Sequence, residues 1–316
     1  MSPVISIVMP TFNRVEYVPA AIRSVFAQTF TRWELIIADD GSSAHTRAYL
    51  QALHDPPRVK VIWLAHTGKP SVVRNAALRE AQGEYIAFLD SDDAWLPTKL
   101  EMQLESLRRH PGREWSYTRF ALVDALGNPT VPARSSNWPA PSGWILEKLL
   151  EEETVIALPS VVVSRQLLEQ LGPFDEELVM CEDDELWLRL AEHSEIDGVD
   201  ESLTLIRRHG QHSGTDILAW RNRRRVFEKA LRAPRASHLE SILRRLRAEM
   251  AAGLAKSQAD SGKRIGALST VLSSAAYSWR FPQWWRGALV ASAPAVVRRL
   301  VRKYRGGRAA QSRPQA

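Results

Sequence analysis

Four short apolar runs in the first 90 residues each stop at a polar or charged stretch, and helical spacing fills the intervals between them. Val4-Ile5-Ser6-Ile7-Val8-Met9 halts at Pro10, and Trp33-Glu34-Leu35-Ile36-Ile37-Ala38 halts at Asp39-Asp40-Gly41-Ser42. Val59-Lys60-Val61-Ile62-Trp63 is the third run, and Glu84-Tyr85-Ile86-Ala87-Phe88-Leu89 the fourth. Runs this short, rich in β-branched and aromatic residues, read as buried strands and not helices. Between them, Val18, Ile22, Val25 and Phe26 fall on one helical face ending near Gln28, and a second helix passes through Leu50 and Leu53. A third is expected to be capped by Ser71, to run through Val72, Ala76 and Leu78, and to be closed by Gly83. Strand-helix alternation at this spacing predicts an α/β fold with a largely parallel sheet joined by right-handed crossovers.

The fourth run ends in Asp90-Ser91-Asp92-Asp93, three carboxylates within four positions at a strand's carboxyl edge. Open α/β sheets bind ligands at that edge. Clustered carboxylates repel one another, so they face solvent or share a cation, and hard oxygen ligands suit Mg²⁺ or Mn²⁺ bridging to substrate phosphates. The competing reading is a solvated acidic turn before a helix expected to begin near Trp95-Leu96-Pro97.

Beyond this point the signals are less regular. Leu100, Leu104 and Leu107 form a helical stripe, Trp115 to Val123 and Ser160 to Val163 read as further strands, and Val131 to Gly143 reads as a Pro- and Ser-rich loop able to cover a cleft. Residues 217–316 read as helical, with Leu239, Ile242, Leu243, Leu246 and Met250 at helical spacing. A length of 316 residues allows one large domain or two smaller ones. Residues 1–216 hold 20 Lys and Arg against 32 Asp and Glu, whereas residues 217–316 hold 22 against 4. This places a boundary near residue 216 and gives the basic part an anionic partner, a membrane surface or nucleic acid. The single cysteine, Cys181, excludes an intramolecular disulfide and fits a reducing compartment. There is no secretory signal pattern and no run of ~20 apolar residues, so the expectation is a cytoplasmic chain.

Four motifs fall at loop edges of the expected sheet: Pro10-Thr11-Phe12-Asn13-Arg14, Asp39-Asp40-Gly41-Ser42, Arg74-Asn75-Ala76-Ala77 and Asp90-Ser91-Asp92-Asp93. Asp40 can accept a hydrogen bond from the imide N–H of a uracil-like or thymine-like base, with Gly41 permitting the tight turn; an ordinary Asp-Gly-Ser turn capping the next helix is the alternative. Arg74, near a helix N-terminus, can meet a base or diphosphate through its fork, or pair with Asp39 or Asp90. Lys69 reads as a phosphate contact or as a solvated loop residue.

In order and content these motifs resemble the family 2 glycosyltransferases of the bacterial cell-surface polysaccharide type, inverting enzymes with the GT-A fold. The resemblance covers roughly residues 1–216 and continues downstream. Cys181-Glu182-Asp183-Asp184-Glu185-Leu186-Trp187-Leu188-Arg189 is similar to the family's Glu-Asp motif, and Arg207-Arg208-His209-Gly210-Gln211-His212-Ser213 to its late Arg-x-His segment. The resemblance implies a mixed, mainly parallel sheet flanked by helices, with residues 1–95 as nucleotide-binding half and 96–216 as acceptor-binding half; spacing and charge leave 217–316 as a helical, basic C-terminal region.

By the same resemblance, Asp40 reads the base, and Pro10, Thr11, Asn13, Arg74, Asp90 and Ser91 line the donor. Asp92 binds Mg²⁺ or Mn²⁺ directly, Asp90 assists through ribose or a water shell, Asp93 is the least committed of the three, and His209, ahead of His212, lies near the metal or diphosphate. Asp183 is the base that deprotonates the acceptor hydroxyl. Glu182, Asp184 and Glu185 crowd it, which favours a raised pKa for some member of the cluster, though an acidic first helical turn also accounts for them. Cys181 stands where the family often has Gly, and Asp184 where an aromatic often sits, which leaves the acceptor pocket open. The implied donor is a nucleoside-diphosphate-sugar of UDP or dTDP type, and the implied acceptor a glycan or lipid-linked hydroxyl. A nucleotidyltransferase of the same fold, disfavoured by a first loop with no glycine, and a non-catalytic nucleotide-sugar or membrane-binding protein are the alternatives.

In the basic part, Tyr277, Trp279, Phe281, Trp284 and Trp285 precede an expected helix from Pro294 that sets Val296, Val297, Leu300, Val301 and Tyr304 beside Arg298, Arg299, Arg302, Lys303 and Arg305. Such a pattern suits an anionic bilayer, each cation near the surface contributing about 1 kcal/mol, and would place the chain peripherally on the membrane's inner face. Packing of the Trp residues on the catalytic body or on a second subunit is the other reading. Nucleic acid is disfavoured, since no recognisable module accompanies the charge.

Overall fold

The computed structural model describes residues 2–53, 58–130, 139–209, 216–232 and 239–292, and the chain divides into two compact units, Met1–Ser213 and Gly214–Ala316. Residues 131–138 of the Pro- and Ser-rich segment, Gly210 to Ser213 of the late motif, and the cationic helix expected from Pro294 lie outside the described residues.

Among the described residues, the first unit is organised on an eight-stranded sheet: β1 (Ile5–Thr11), β2 (Trp33–Asp39), β3 (Val59–Trp63), β4 (Tyr85–Phe88), β5 (Ala94–Trp95), β6 (Trp115–Val123), β7 (Val161–Ser164) and β8 (Ile196–Arg207). The spatial order is β3-β2-β1-β4-β7-β6-β8-β5. β1 to β4 run parallel, β7 is antiparallel to both β4 and β6, β8 is parallel to β6, and β5 is antiparallel to β8. The sheet is therefore mixed and flanked by helices.

The apolar runs are continuous because both faces of the inner strands are covered. Strand alternation sends Ile5, Ile7, Met9, Leu35 and Ile37 to the face that packs with Val18, Ile22 and Val25 of α1 (Val18–Phe26) and Leu100, Leu104 and Leu107 of α4 (Lys99–Arg109). Val8, Ile36, Ala38, Ile86 and Phe88 pack on the other face with Val73 and Ala77 of α3 (Pro70–Leu78) and Leu186, Trp187 and Leu190 of α7 (Glu182–His193). α2 (Ala44–Gln51), α5 (Leu146–Leu150) and α6 (Arg165–Leu171) complete the unit.

Three local expectations change. Ser71 does not cap α3: Pro70 opens the helix after Lys69, and the Ser71 hydroxyl donates to the Leu178 carbonyl at 3.0 Å. Proline fits that first turn because its fixed φ is already helical and it has no N–H to satisfy. Gly83 does not close α3, which ends at Leu78; it abuts β1, where an added Cβ would lie 2.5 Å from the Ser6 nitrogen. Trp95 belongs to a strand, with Ala94 and Trp95 opposite Leu205 and Thr204, and α4 begins only at Lys99, after Pro97.

The longest strand, β8, was not expected from the sequence. It follows β6 from Trp115↔Ile196 to Val123↔Arg207, with register shifts on either side of Arg119. The end of β8 carries Arg207, and with it His209, to Asp92 and Asp93 at the acidic end of β4.

The second unit, by itself, contains α8 (Asp216–Ala230), α9 (Glu240–Asp260), α10 (Arg264–Ser278) and α11 (Pro282–Ser292) among the described residues. The buried side of α9 carries Leu243, Leu246 and Met250, then Ala248, Ala251, Ala252, Ala255 and Ala259, whose small side chains allow close approach of α10 and α11. The Trp284 indole N–H donates to Ser274 Oγ at 2.8 Å, joining α11 to α10, and Thr270 Oγ1 donates to Gln258 Oε1 at 2.8 Å. Among the described residues no helix is long and apolar enough to cross a membrane.

Candidate active site

The carboxyl ends of β1 and β2 form one connected edge. Asn13 takes a left-handed conformation (φ 51°), its N–H donates to Ser42 Oγ at 2.9 Å, and its Oδ1 accepts the Ser43 N–H at 2.8 Å. Asn13 therefore spends its side-chain oxygen fastening the first loop to the Asp39-Asp40-Gly41-Ser42 turn. Gly41 is required there: its φ is +77°, and a Cβ would lie 2.8 Å from the His66 nitrogen. Pro10 is half-buried opposite Ala38, and Thr11 is buried opposite Asp39. Thr11 Oγ1 and Asp39 Oδ1 are buried without a protein hydrogen-bond partner, while Asp39 Oδ2 accepts the Ser42 N–H at 3.0 Å.

Asp40 is buried and turned to the loop before α3. Its Oδ1 accepts the Thr67 N–H at 2.8 Å and the Thr67 hydroxyl at 2.9 Å; its Oδ2 accepts the Gly68 N–H at 2.9 Å and lies 3.0 Å from His66 Nδ1. Above it the exposed rings of Phe12 and His66 stack with centroids 4.1 Å apart. Lys69 is half-buried and donates to the Glu176 carbonyl at 3.2 Å.

The acidic end of β4 separates into three environments. Asp90 Oδ1 accepts Arg74 Nη2 at 2.7 Å, and the same guanidinium donates through Nη1 to Glu182 Oε1 at 2.6 Å. Arg74 is only 5% exposed, so of the alternatives open in the sequence the structure shows the pairing with Asp90, and adds Glu182. Burial works to lower the Arg74 pKa, but the two carboxylates outweigh it and hold the group above its ordinary value. Burial raises Asp90 despite Arg74, with Asp92 and Asp183 adding to the rise; Glu182 is raised in the same way, by burial and then by Asp183. Ser91 is buried.

Asp92 is partly open. Its Oδ2 lies 2.9 Å from His209 Nε2 and 3.7 Å from Arg14 Nε. His209 stacks on Tyr17 with centroids 4.9 Å apart, and Arg207 lies over the same ring at 5.4 Å. Asp93 points inward and accepts the Arg207 backbone N–H at 2.7 Å; burial, then Asp90 and Asp92, push its pKa well up. Arg207 Nε donates to the Asp92 carbonyl at 2.8 Å, so one residue of β8 fixes both ends of the Asp92-Asp93 step.

Asp183 stands in the first turn of α7, where Glu182, Asp183, Asp184 and Glu185 meet the helix's positive end. The Asp184 N–H donates to Asp183 Oδ1 at 2.9 Å. Cys181, at the N-cap, is left-handed (φ 62°), which is why glycine suits this position. Glu185 pairs with Arg189 at 2.8 Å, and Arg189 also binds the Leu171 and Pro173 carbonyls at 2.7 and 2.8 Å, so Glu185 braces the helix.

Arg74 thus joins the Asp90 and Glu182 motifs, and Asp92 and His209 pair beside them. Phe12, Arg14, Tyr17 and His66 join the edge without having been given a role from the sequence: Phe12 and Arg14 lie within the Pro10-Thr11-Phe12-Asn13-Arg14 motif, while Tyr17 and His66 carry no local signal. Among the described residues no group of three or more His, Cys, Asp or Glu side chains is arranged to hold a metal ion. The partly open Asp92 carboxylate still fits a hard divalent ion, because Mg²⁺ is commonly held by one or two carboxylates and completes its shell with water and substrate phosphates.

Comparison with known proteins bears on the family and the fold. Residues 6–113 match the model of Glycosyl transferase family 2. The chain is 33% identical over 196 residues to the UDP-Glc:alpha-D-GlcNAc-diphosphoundecaprenol beta-1,3-glucosyltransferase WfgD of Escherichia coli, covering 62% of this chain and 73% of that one. It is 31% identical over 215 residues to the putative colanic acid biosynthesis glycosyl transferase WcaA of Escherichia coli K12, covering 66% and 75%. Its fold is similar to that of S. aureus TarS 1-349 in complex with UDP-GlcNAc, with a TM-score of 0.63, 22% identity, and 91% and 79% of the two chains covered.

Proposed function

The chain belongs to glycosyl transferase family 2, and from that premise we propose that it is a metal-dependent, inverting glycosyltransferase that moves a sugar from a UDP-type donor to a hydroxyl of a glycan or lipid-linked acceptor. Residues 1–216 form the catalytic domain, the first 95 binding nucleotide and the remainder acceptor, and residues 217–316 form an extension. The observation that carries the reading is the Arg74 bridge, which draws Asp90 and Glu182 together and so sets Asp92 and Asp183 about one site. The donor and acceptor classes follow those of WfgD, a UDP-Glc transferase to a diphosphoundecaprenol-linked sugar, and of TarS in complex with UDP-GlcNAc.

The base lies along the edge formed by Pro10, Thr11 and Asn13, with Phe12 and His66 offering a flat surface and Asp40 receiving its imide N–H in exchange for one of the loop contacts it now holds. Arg74 supports the donor indirectly, by holding Asp90 and with it Ser91 in place. Mg²⁺ or Mn²⁺ held by Asp92 and His209, when bound, supplies neutralising charge to the diphosphate leaving group. Asp183 accepts the proton of the acceptor hydroxyl while the acceptor oxygen bonds to the anomeric carbon. The bond from that carbon to the diphosphate breaks on the opposite face, the nucleoside diphosphate leaves with the electron pair, and the anomeric configuration inverts. The partly open face of Asp92 and the positive end of α7 support this division of roles.

The test is thermal shift with a panel of nucleotide-sugars, with and without Mn²⁺, followed by transfer assays with the donor that stabilises most. Stabilisation by a UDP-sugar that depends on Mn²⁺ is expected. Equal stabilisation, and full turnover with the metal chelated, would remove the metal from the reading.

A further inference from the structure

The outward face of α10 is apolar where a surface helix ordinarily carries charge. Ile265 is 86% exposed, Leu272 75%, and Trp279, just beyond the helix, 54%; Leu268 lies between them on the same stripe. The spacing 265, 268, 272 keeps these side chains on one side of the helix, while Ala267, Thr270, Ser274 and Ser278 face inward. Residues 265–279 contain no charged residue, and Lys263, Arg264 and Arg280 bracket the stretch. Trp285 of α11 extends the surface: it is 51% exposed and its indole N–H donates to the Trp279 carbonyl at 2.8 Å.

Charge selects the occupant. From Lys256 to Ser292 the sequence holds five cations and one carboxylate, Asp260, and residues 217–316 hold 22 cations against 4 carboxylates. Pairing this face with a second copy would set one cationic rim against another. An anionic lipid surface instead takes the Leu and Ile side chains into its acyl boundary, the indoles at the headgroup level and the Lys and Arg side chains at the phosphates. We propose that the outward face of α10, with Trp279 and Trp285, is a docking surface for an anionic phospholipid bilayer. It is independent of the catalytic reading, because its residues lie outside the acidic site.

Co-sedimentation of the full chain with vesicles tests it. The chain binds vesicles of phosphatidylcholine with phosphatidylglycerol and not vesicles of phosphatidylcholine alone, and Leu268→Glu with Leu272→Glu weakens binding about tenfold or more. Both substitutions are at exposed positions, and an unchanged thermal midpoint verifies the fold. As a second measurement, brominated lipids in the anionic vesicles quench wild-type tryptophan fluorescence, and the quenching falls in Trp279→Phe with Trp285→Phe. The proposal is overturned by undiminished vesicle binding of the double Glu variant, by no binding to anionic vesicles, or by a wild-type dimer in sedimentation velocity that the Glu substitutions dissociate. Quenching unaffected by the two Trp substitutions overturns it as well.

Discussion

Arg74 donates to Glu182 at 2.6 Å, and through that contact α3 is tied to the first turn of α7. Its other amino nitrogen holds Asp90 at 2.7 Å, so a single buried cation compensates two carboxylates of the site. Breaking such a pairing is costly because a charge is left behind without a partner, whereas removing all members together is not. Arg74→Met is expected to destabilise the chain by about 3–5 kcal/mol in urea unfolding. Adding Asp90→Asn and Glu182→Gln recovers most of that loss. If Arg74 instead served mainly as a donor ligand, Arg74→Met would raise the Kd for UDP and leave the urea midpoint in place.

The inner strands were legible because burial on both faces forces unbroken apolar runs, and the turn chemistry at their ends marked the site. β8 was not legible, because Asp197, Asp200 and Glu201 interrupt its apolar residues. The Asp197 charge is acceptable only because Ser106, His110 and Arg113, far away in sequence, surround it. Two-residue β5 has no pattern of its own and exists through its partner, Leu205 and Thr204 of β8. Asp93 shows the same limit. Its acidity placed it in the carboxylate cluster as the least committed member, and the structure gives it a backbone N–H from a strand that the sequence did not announce. Arg74 read from the sequence as a charged fork for a base, a diphosphate or a carboxylate, and only folding brings Asp90 and Glu182 to it.

Asp197 makes the fold sensitive to acid. Burial works to raise its pKa, and the bonds from Ser106, His110 and Arg113 outweigh burial and hold it below the ordinary value of 3.8. A carboxyl with a depressed folded pKa contributes stability above its unfolded pKa, and that contribution is lost as pH falls through the folded value. Asp197→Asn is expected to cost about 1.5–3 kcal/mol at pH 7. The gap between variant and wild type narrows once pH drops below 3.8. Urea unfolding across this range measures it; a gap independent of pH would mean that packing, not charge, is at stake.

Cys181 holds a left-handed conformation that L side chains adopt at a cost, immediately before Glu182 and Asp183. Glycine removes the strain but gives the unfolded chain more freedom, so the two effects partly cancel. Cys181→Gly is expected to raise stability by about 0.5–1 kcal/mol and to leave transfer intact. Cys181→Val, branched at Cβ, shifts stability the other way and misplaces the first turn of α7, which appears as lost turnover at unchanged donor affinity. Equal thermal midpoints for the three proteins would show that the backbone relaxes at this position without penalty.

Asp92 and Asp183 are separable by experiment because their surroundings differ. Asp92 pairs with His209 at the end of β4, whereas Asp183 sits at the positive end of α7 and accepts the Asp184 N–H at 2.9 Å. Removing a base that acts only as the acceptor hydroxyl attacks lowers kcat by about 10²–10⁴ and leaves donor binding alone. Asp183→Asn is therefore expected to bind the UDP-sugar with Mn²⁺ as the wild type does, measured by calorimetry, while transfer falls by that factor. Asp92→Ala, in contrast, loses the Mn²⁺-dependent part of donor affinity. An Asp183→Asn protein that releases the donor would place this carboxylate with the donor site, and the base would then have to be sought elsewhere among the acidic residues that begin α7.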